Sequence, residues 1–157
     1  MADFKTIYDE ALAIARPPTS ALKGAFSLLR LASEQGDPRA DYALATWYMH
    51  GNAVVERDEL QALRILNFLV DSNVAEALFD LAIFYDYGRV VNEDSFQAYE
   101  FYMKAAILGD KQACFQVSEF HREGIVVKQS DFLAGAWKKR SEQSEKDISP
   151  PYRIWLS

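Results

Sequence analysis

The chain has 157 residues, half of them apolar and a quarter charged, a balance that fits one globular domain and excludes a disordered polymer. Lys and Arg number 17 against 23 Asp and Glu, a net charge of −6; nucleic acid and anionic membrane are therefore excluded as partners, since both require a basic footprint. A single Cys leaves no intrachain disulfide and no multi-Cys zinc site.

No apolar run approaches the ~18 residues of a membrane span. The opening MADFKTIYDE has no apolar signal core, so the expected location is cytoplasmic. Residues 3–16 carry Phe4, Ile7, Tyr8, Ala11, Leu12 and Ala15 at helical spacing and stop at Pro17-Pro18. This N-terminal helix, within 3–18, is expected to pair with a helix over 19–36.

From there the sequence repeats itself. Ala25, Ala62, Ala98 and Ala134 recur at 37, 36 and 36 residues, and Gly36, Asn73 and Gly109 follow the first three at a constant eleven. A second set runs in parallel: Ala40, Ala77, Ala113; Leu44, Leu81, Val117; Tyr48, Tyr85, His121; Gly51, Gly88, Gly124. The periods 37–73, 74–109 and 110–146 each hold two helices. In the first helix the apolar positions fall at i, i+4, i+7 and i+8, as in Ala40, Leu44, Trp47 and Tyr48. Asp37-Pro38 and Asp110 read as its N-caps, and Gly51, Gly88 and Gly124 as its end. Asp58, Asp94 and Ser130 open the second helix, which Gly36, Asn73 and Gly109 close. The paired valines of each connection (Val54-Val55, Val90-Val91, Val126-Val127) are expected to plug the gap between helices. No strand alternation competes, so the chain is read as all-α, an α/α solenoid of helix-turn-helix repeats of about 36 residues.

The last helix turns polar at KKRSEQSEK, as a terminal repeat facing water must. The tail, 147–157, carries Ile148, Tyr152, Ile154, Trp155 and Leu156. Two readings stay open for it: a segment folded back on the last helix pair, or a docking peptide for another chain. A monomer or a weak homodimer through this tail is expected.

Ala77-x-Phe79-x-Leu81-Ala82-x-x-Tyr85-x-x-Gly88, continued by Asp94, Ala98, Phe101, Tyr102, Lys104, Ala105, Ala106 and Gly109, resembles the Sel-one-like (SLR) repeat, a relative of the tetratricopeptide repeats. Residues 40–73 and 113–145 keep Ala40-x-Tyr42-x-Leu44-Ala45 and Ala113-x-Phe115-x-Val117, while His121 replaces the Tyr and Asn73 the Gly. The resemblance covers roughly 20–145. It implies a right-handed superhelix whose first helices line a concave face, and a role as an interaction scaffold or adaptor. Some SLR proteins are toxin immunity factors.

The chain carries no Gly-rich phosphate loop, no G-x-S-x-G and no H-E-x-x-H. His121 occupies a core Tyr position and reads as a packed, satisfied histidine, His50 as an exposed residue near a helix end, and Cys114 as a small hydrophobe. No enzyme activity, cofactor or metal is expected.

Binding has more to stand on. Counting from the first-helix Ala, offsets 0, 4, 7, 8 and 11 share one side and offsets 3, 6, 9 and 10 lie away from it. The outward ladder is Ala43, Asp80, Gln116; Thr46, Ile83, Glu119; Met49, Asp86, Arg122; His50, Tyr87, Glu123. The contact residues are expected to be Thr46, Met49, His50, Asp80, Ile83, Asp86, Tyr87, Gln116, Glu119, Arg122 and Glu123. The aromatic ladders at offset 2 (Tyr42, Phe79, Phe115) and offset 7 (Trp47, Phe84, Phe120) read as repeat-to-repeat packing. Residues 37–73 and 74–109 sum to −3 and −4 and hold the whole charge deficit, which favours a basic protein partner. The expected function is a non-enzymatic interaction module that holds one protein partner on an acidic concave face, as an immunity protein or antitoxin masks a basic effector toxin. The alternative is a regulatory or assembly adaptor of a secretion, envelope or signalling complex.

Overall fold

The computed structural model describes residues 4–15 and 19–143. Among them lie eight helices and no strand: α1 (Phe4–Ile14), α2 (Thr19–Glu34), α3 (Pro38–His50), α4 (Glu59–Phe68), α5 (Ala75–Asp86), α6 (Ser95–Ile107), α7 (Lys111–Glu123) and α8 (Asp131–Glu142). The fold class is all-α, as the periodicity requires. Pro17-Pro18 and the tail from 147 lie outside the described residues. Contacts gather into two compact units, 1–77 and 78–157.

In the first unit α1 packs on α2, α2 on α3 and α3 on α4. Ile7, Ala11, Leu29, Ala32, Ala40 and Leu44 form a buried cluster, with Phe26 and Trp47 packed against it and their rings stacked at 5.8 Å. Leu12, expected in the buried stripe, is exposed instead, because a terminal helix covered from one side buries a narrower stripe than an internal one.

In the second unit aromatic pairs join the helices. Phe79 meets Tyr102 at 5.6 Å and Tyr85 meets Phe101 at 5.7 Å, tying α5 to α6. Tyr99 and Tyr102 meet Phe120 at 5.5 and 6.0 Å, tying α6 to α7. Such pairs add about 0.5–1.5 kcal/mol each beyond their buried area. The Ser118 hydroxyl donates to the Ala134 carbonyl at 2.8 Å across α7 and α8. Every repeat Ala of the second helices is buried, where a methyl side chain lets a neighbouring helix approach closely.

The helix starts follow the sequence closely. The Asp37, Asp58, Asp94 and Asp110 carboxylates accept backbone N–H bonds of 2.7–3.1 Å from the first turns of α3, α4, α6 and α7, and Ser130 does the same for α8 at 3.2 Å. Each second-helix cap also closes its repeat: the N–H groups of Asp58, Asp94 and Ser130 donate to the carbonyls of Tyr48, Tyr85 and His121 at 2.8–2.9 Å. One backbone bond therefore recurs at the same repeat position three times, whichever side chain stands there.

The helix ends show two departures. Asn73 has φ +56°, the conformation expected of it, but α4 already stops at Phe68, where Leu69 N–H turns back to Ile65 and Leu66. Of the valine pairs, Val55 is buried, whereas Val90 is 52% exposed. Val90 and Val126 also take φ +50° and +66°, a region costly for a β-branched residue. The connections of the second unit thus hold strained valines where plugs are expected.

Candidate functional site

In the first unit, Thr46 is half-buried and its hydroxyl donates to the Ala43 carbonyl of its own helix at 2.7 Å. His50 ends α3 and is exposed. Met49 is only 5% exposed and Ala43 is buried too, so neither forms part of an accessible face. α3 packs against both α2 and α4, and flexible Met fills gaps between packed helices.

In the second unit the ladder is accessible but much of its charge is engaged. Asp80 and Ile83 are half-buried, and Tyr87 at the end of α5 is 69% exposed. Asp86 accepts a hydrogen bond of 3.0 Å from the Tyr102 hydroxyl; burial, and then the Asp86 carboxylate, push the Tyr102 phenol well above its ordinary value. On α7, Arg122 reaches Glu119 through Nε at 3.0 Å and a terminal nitrogen at 2.6 Å, and Glu123 at 2.8 Å. The Arg122 hydrogen bond holds the Glu119 carboxyl below the usual range. Fork geometry fixes these side chains in one outward arrangement. Gln116 is half-buried one turn before them.

A groove at the other end of α7 is the feature that pattern reading missed. It is open, about 570 Å³, and lined by Phe79, Lys111, Gln112, Phe115, Gln116 and Ser141. Phe79 and Phe115 belong to the offset-2 ladder assigned to packing, yet Phe115 is 44% exposed. The signal was present: at 100° per residue, offset 2 stands opposite the core stripe.

Asp37, His121 and Cys114 are buried. Asp37 is 3% exposed and bonds the Arg39 guanidinium at 3.0 and 2.6 Å. Burial pushes its carboxyl up, but the Arg39 bonds outweigh that and leave it below the usual range. His121 is buried, as expected, but only half satisfied. Its Nε2 shares a hydrogen bond of 3.3 Å with the Tyr99 hydroxyl, while Nδ1 has no partner in the described structure. Cys114 is buried with its thiol toward the Ala106 carbonyl, and burial pushes that thiol up, away from reactivity. Among the described residues no cluster of His, Cys, Asp and Glu could hold a metal ion, and no helix is long and apolar enough to cross a membrane.

Comparison with known proteins matches the Sel1 repeat model at residues 21–37, 38–67, 75–110 and 111–138, most of the chain. Chitin synthase regulatory factor 1 of Schizosaccharomyces pombe is 26% identical over 112 residues, which are 70% of this chain; the chain spans about a quarter of that relative's length (25%). A solved Sel1 repeat protein from Oxalobacter formigenes superposes with TM-score 0.78 at 20% identity, covering 98% of this chain and 62% of that one. The immunity protein Pa5087 of Pseudomonas aeruginosa superposes with TM-score 0.62 at 23% identity, covering 88% and 52%. Caps, small-residue helix contacts and matched segments agree: this chain belongs to the Sel1 repeat family of protein-interaction modules.

Proposed function

We propose that the chain is a non-enzymatic module that holds one protein partner on the outward residues of its first helices, and that the partner is basic, as a toxin neutralised by an immunity protein would be. The observation that carries this reading is the outward side of α5 and α7. Exposed Tyr87 stands beside Asp86, and Glu119, Arg122 and Glu123 are held in a fixed fork. Aromatic anchors beside oriented charges are the usual centre of a protein contact. The net charge of −6 supports attraction of a basic partner at a distance, and the fold shared with an immunity protein supports the neutraliser version.

Capture of partners by the tagged protein, with light-scattering mass of the complex, is the test. One stoichiometric basic partner, released by salt and weakened at least tenfold by Tyr87→Ala with Glu123→Lys, is expected. Binding indifferent to salt and to both substitutions overturns the electrostatic version. Charge reversal at Asp86 is a poorer probe, because it also breaks the Tyr102 bond inside the fold. A regulatory adaptor is the second reading, favoured by the likeness to a chitin synthase regulatory factor; recovery of a multi-component assembly distinguishes it.

A further inference from the structure

The groove on α7 differs in chemistry from the charged fork. Its lining joins three helices of the second unit: Phe79 from α5, Lys111, Gln112, Phe115 and Gln116 from α7, and Ser141 from α8. Its volume lies within the ~300–1,000 Å³ of real binding clefts. It is open along one side, which suits a length of chain laid across it better than a small molecule held inside. Phe115 keeps 44% of its surface exposed, so an apolar side chain laid on the ring takes from water an area that the fold leaves wet.

The helix sets the lining side chains in two rows. Lys111 and Phe115 stand four residues apart on α7, as do Gln112 and Gln116, so each pair shares a face one turn apart. Four residues rise about 6 Å along a helix. Alternate side chains of an extended chain point to one side at about 6.6–6.8 Å. The first row therefore offers a cation and an aromatic ring at the spacing of alternate residues of an extended segment. The second row offers two primary amides, each able to donate to and accept from the backbone of such a segment. Charge then selects the occupant. Lys111 is the single charged residue in the lining; it is exposed and enters no ion pair among the described residues. Its neighbour Asp110 caps α7 by accepting the Ala113 N–H at 2.7 Å, and Arg122, further along the helix, is already held by two carboxylates. One exposed ion pair contributes little stability, so the rings supply the affinity and Lys111 the preference in sign.

We infer that this groove binds an extended segment of a partner protein in which Asp or Glu stands two positions from a large apolar side chain, the carboxylate meeting Lys111 and the apolar group meeting Phe115. The inference does not rest on the basic partner proposed above. That contact uses Tyr87 and the fork of Glu119, Arg122 and Glu123, and Gln116 alone is common to the two surfaces.

The test is an NMR titration of the full isotope-labelled chain with two synthetic peptides, Glu-Gly-Phe between Gly-Ser flanks and its Lys-Gly-Phe counterpart. The Glu peptide is expected to shift the amide signals of Gln112, Phe115 and Gln116 with a Kd on the order of 1 mM, and the Lys peptide to bind about threefold or more weakly. Lys111→Glu, at an exposed position, is expected to invert that preference, and Phe115→Ser to abolish binding of both. The inversion is read within one folded variant, so a loss of fold cannot imitate it. Tyr87→Ala with Glu123→Lys is expected to leave peptide binding unchanged, which separates this site from the one proposed for the basic partner. Groove signals unmoved at about 10 mM peptide, or equal affinity for the two peptides, overturns the inference. Groove signals that move with protein concentration alone, alongside a dimer mass, also overturn it, because the occupant is then a second copy.

Discussion

α3 and α7 are the same repeat element written twice, 13 residues each, both opened by an Asp cap. On the inward side they match: Ala40 and Ala113, Leu44 and Val117 are buried in both. On the outward side they part. Offset 9 is Met49 on α3, buried, and Arg122 on α7, exposed and ion-paired. Offset 3 is Ala43, buried, against half-buried Gln116 at the groove. The repeat therefore constrains the side that packs on the partner helix of the same hairpin, while the other side is free to become either core or surface.

The sharpest way to break that comparison is to truncate offset 9 in both helices. Met49→Ala is expected to cost about 2–3 kcal/mol, as for a core deletion. Arg122→Ala should barely change urea stability while altering only surface charge. Equal losses at the two positions would show that burial does not separate them.

The caps give the next largest contrast. Asp37→Ala removes both the α3 cap and the Arg39 pair and is expected to cost about 2 kcal/mol, against about 1 for Asp110→Ala, the general value of a cap. The pH dependence has a definite sign. The Asp37 carboxyl is held below its ordinary value, so its contribution is complete above about pH 3.9, the unfolded value, and is lost as pH falls through the folded value. Acid titration of stability for Asp37→Asn is expected to show that loss removed.

The smallest effect lies in the connections. Val90 is exposed with φ +50°, while its counterpart Val54 is half-buried and is not among the positive-φ residues. Val90→Gly should gain about 1 kcal/mol by releasing backbone strain, and Val54→Gly should lose about as much by the entropy of a new glycine. Thermal melts of the two variants decide it, and a loss at Val90 would mean that its φ is no burden.

Much of the architecture was legible because it depends on local chemistry that the chain spells out. Asp58 and Asp94 each cap a second helix four residues before its repeated Ala, at matching positions. Asn73 could be read as a left-handed residue because it stands where Gly36 and Gly109 stand. The candidate surface was only partly legible. A helical wheel assigns one buried side and does not register what stands across from each residue, which is why Met49 was expected outside. Nor does spacing reveal which charges are already taken: Asp86 by Tyr102, Glu119 and Glu123 by Arg122. The aromatic at offset 2 looked like packing because rings usually pack, yet Phe115 lines a groove.

The amino-acid sequence by itself determined the helices, their caps, the repeat period and the family, since these follow from bonds between residues a few positions apart. Only the tertiary structure decided which outward side chains meet water, which charges are paired, that one His121 nitrogen has no partner among the described residues, and where the groove opens. Those depend on what stands across from each residue in space, and a pattern of neighbours along the chain holds no record of that.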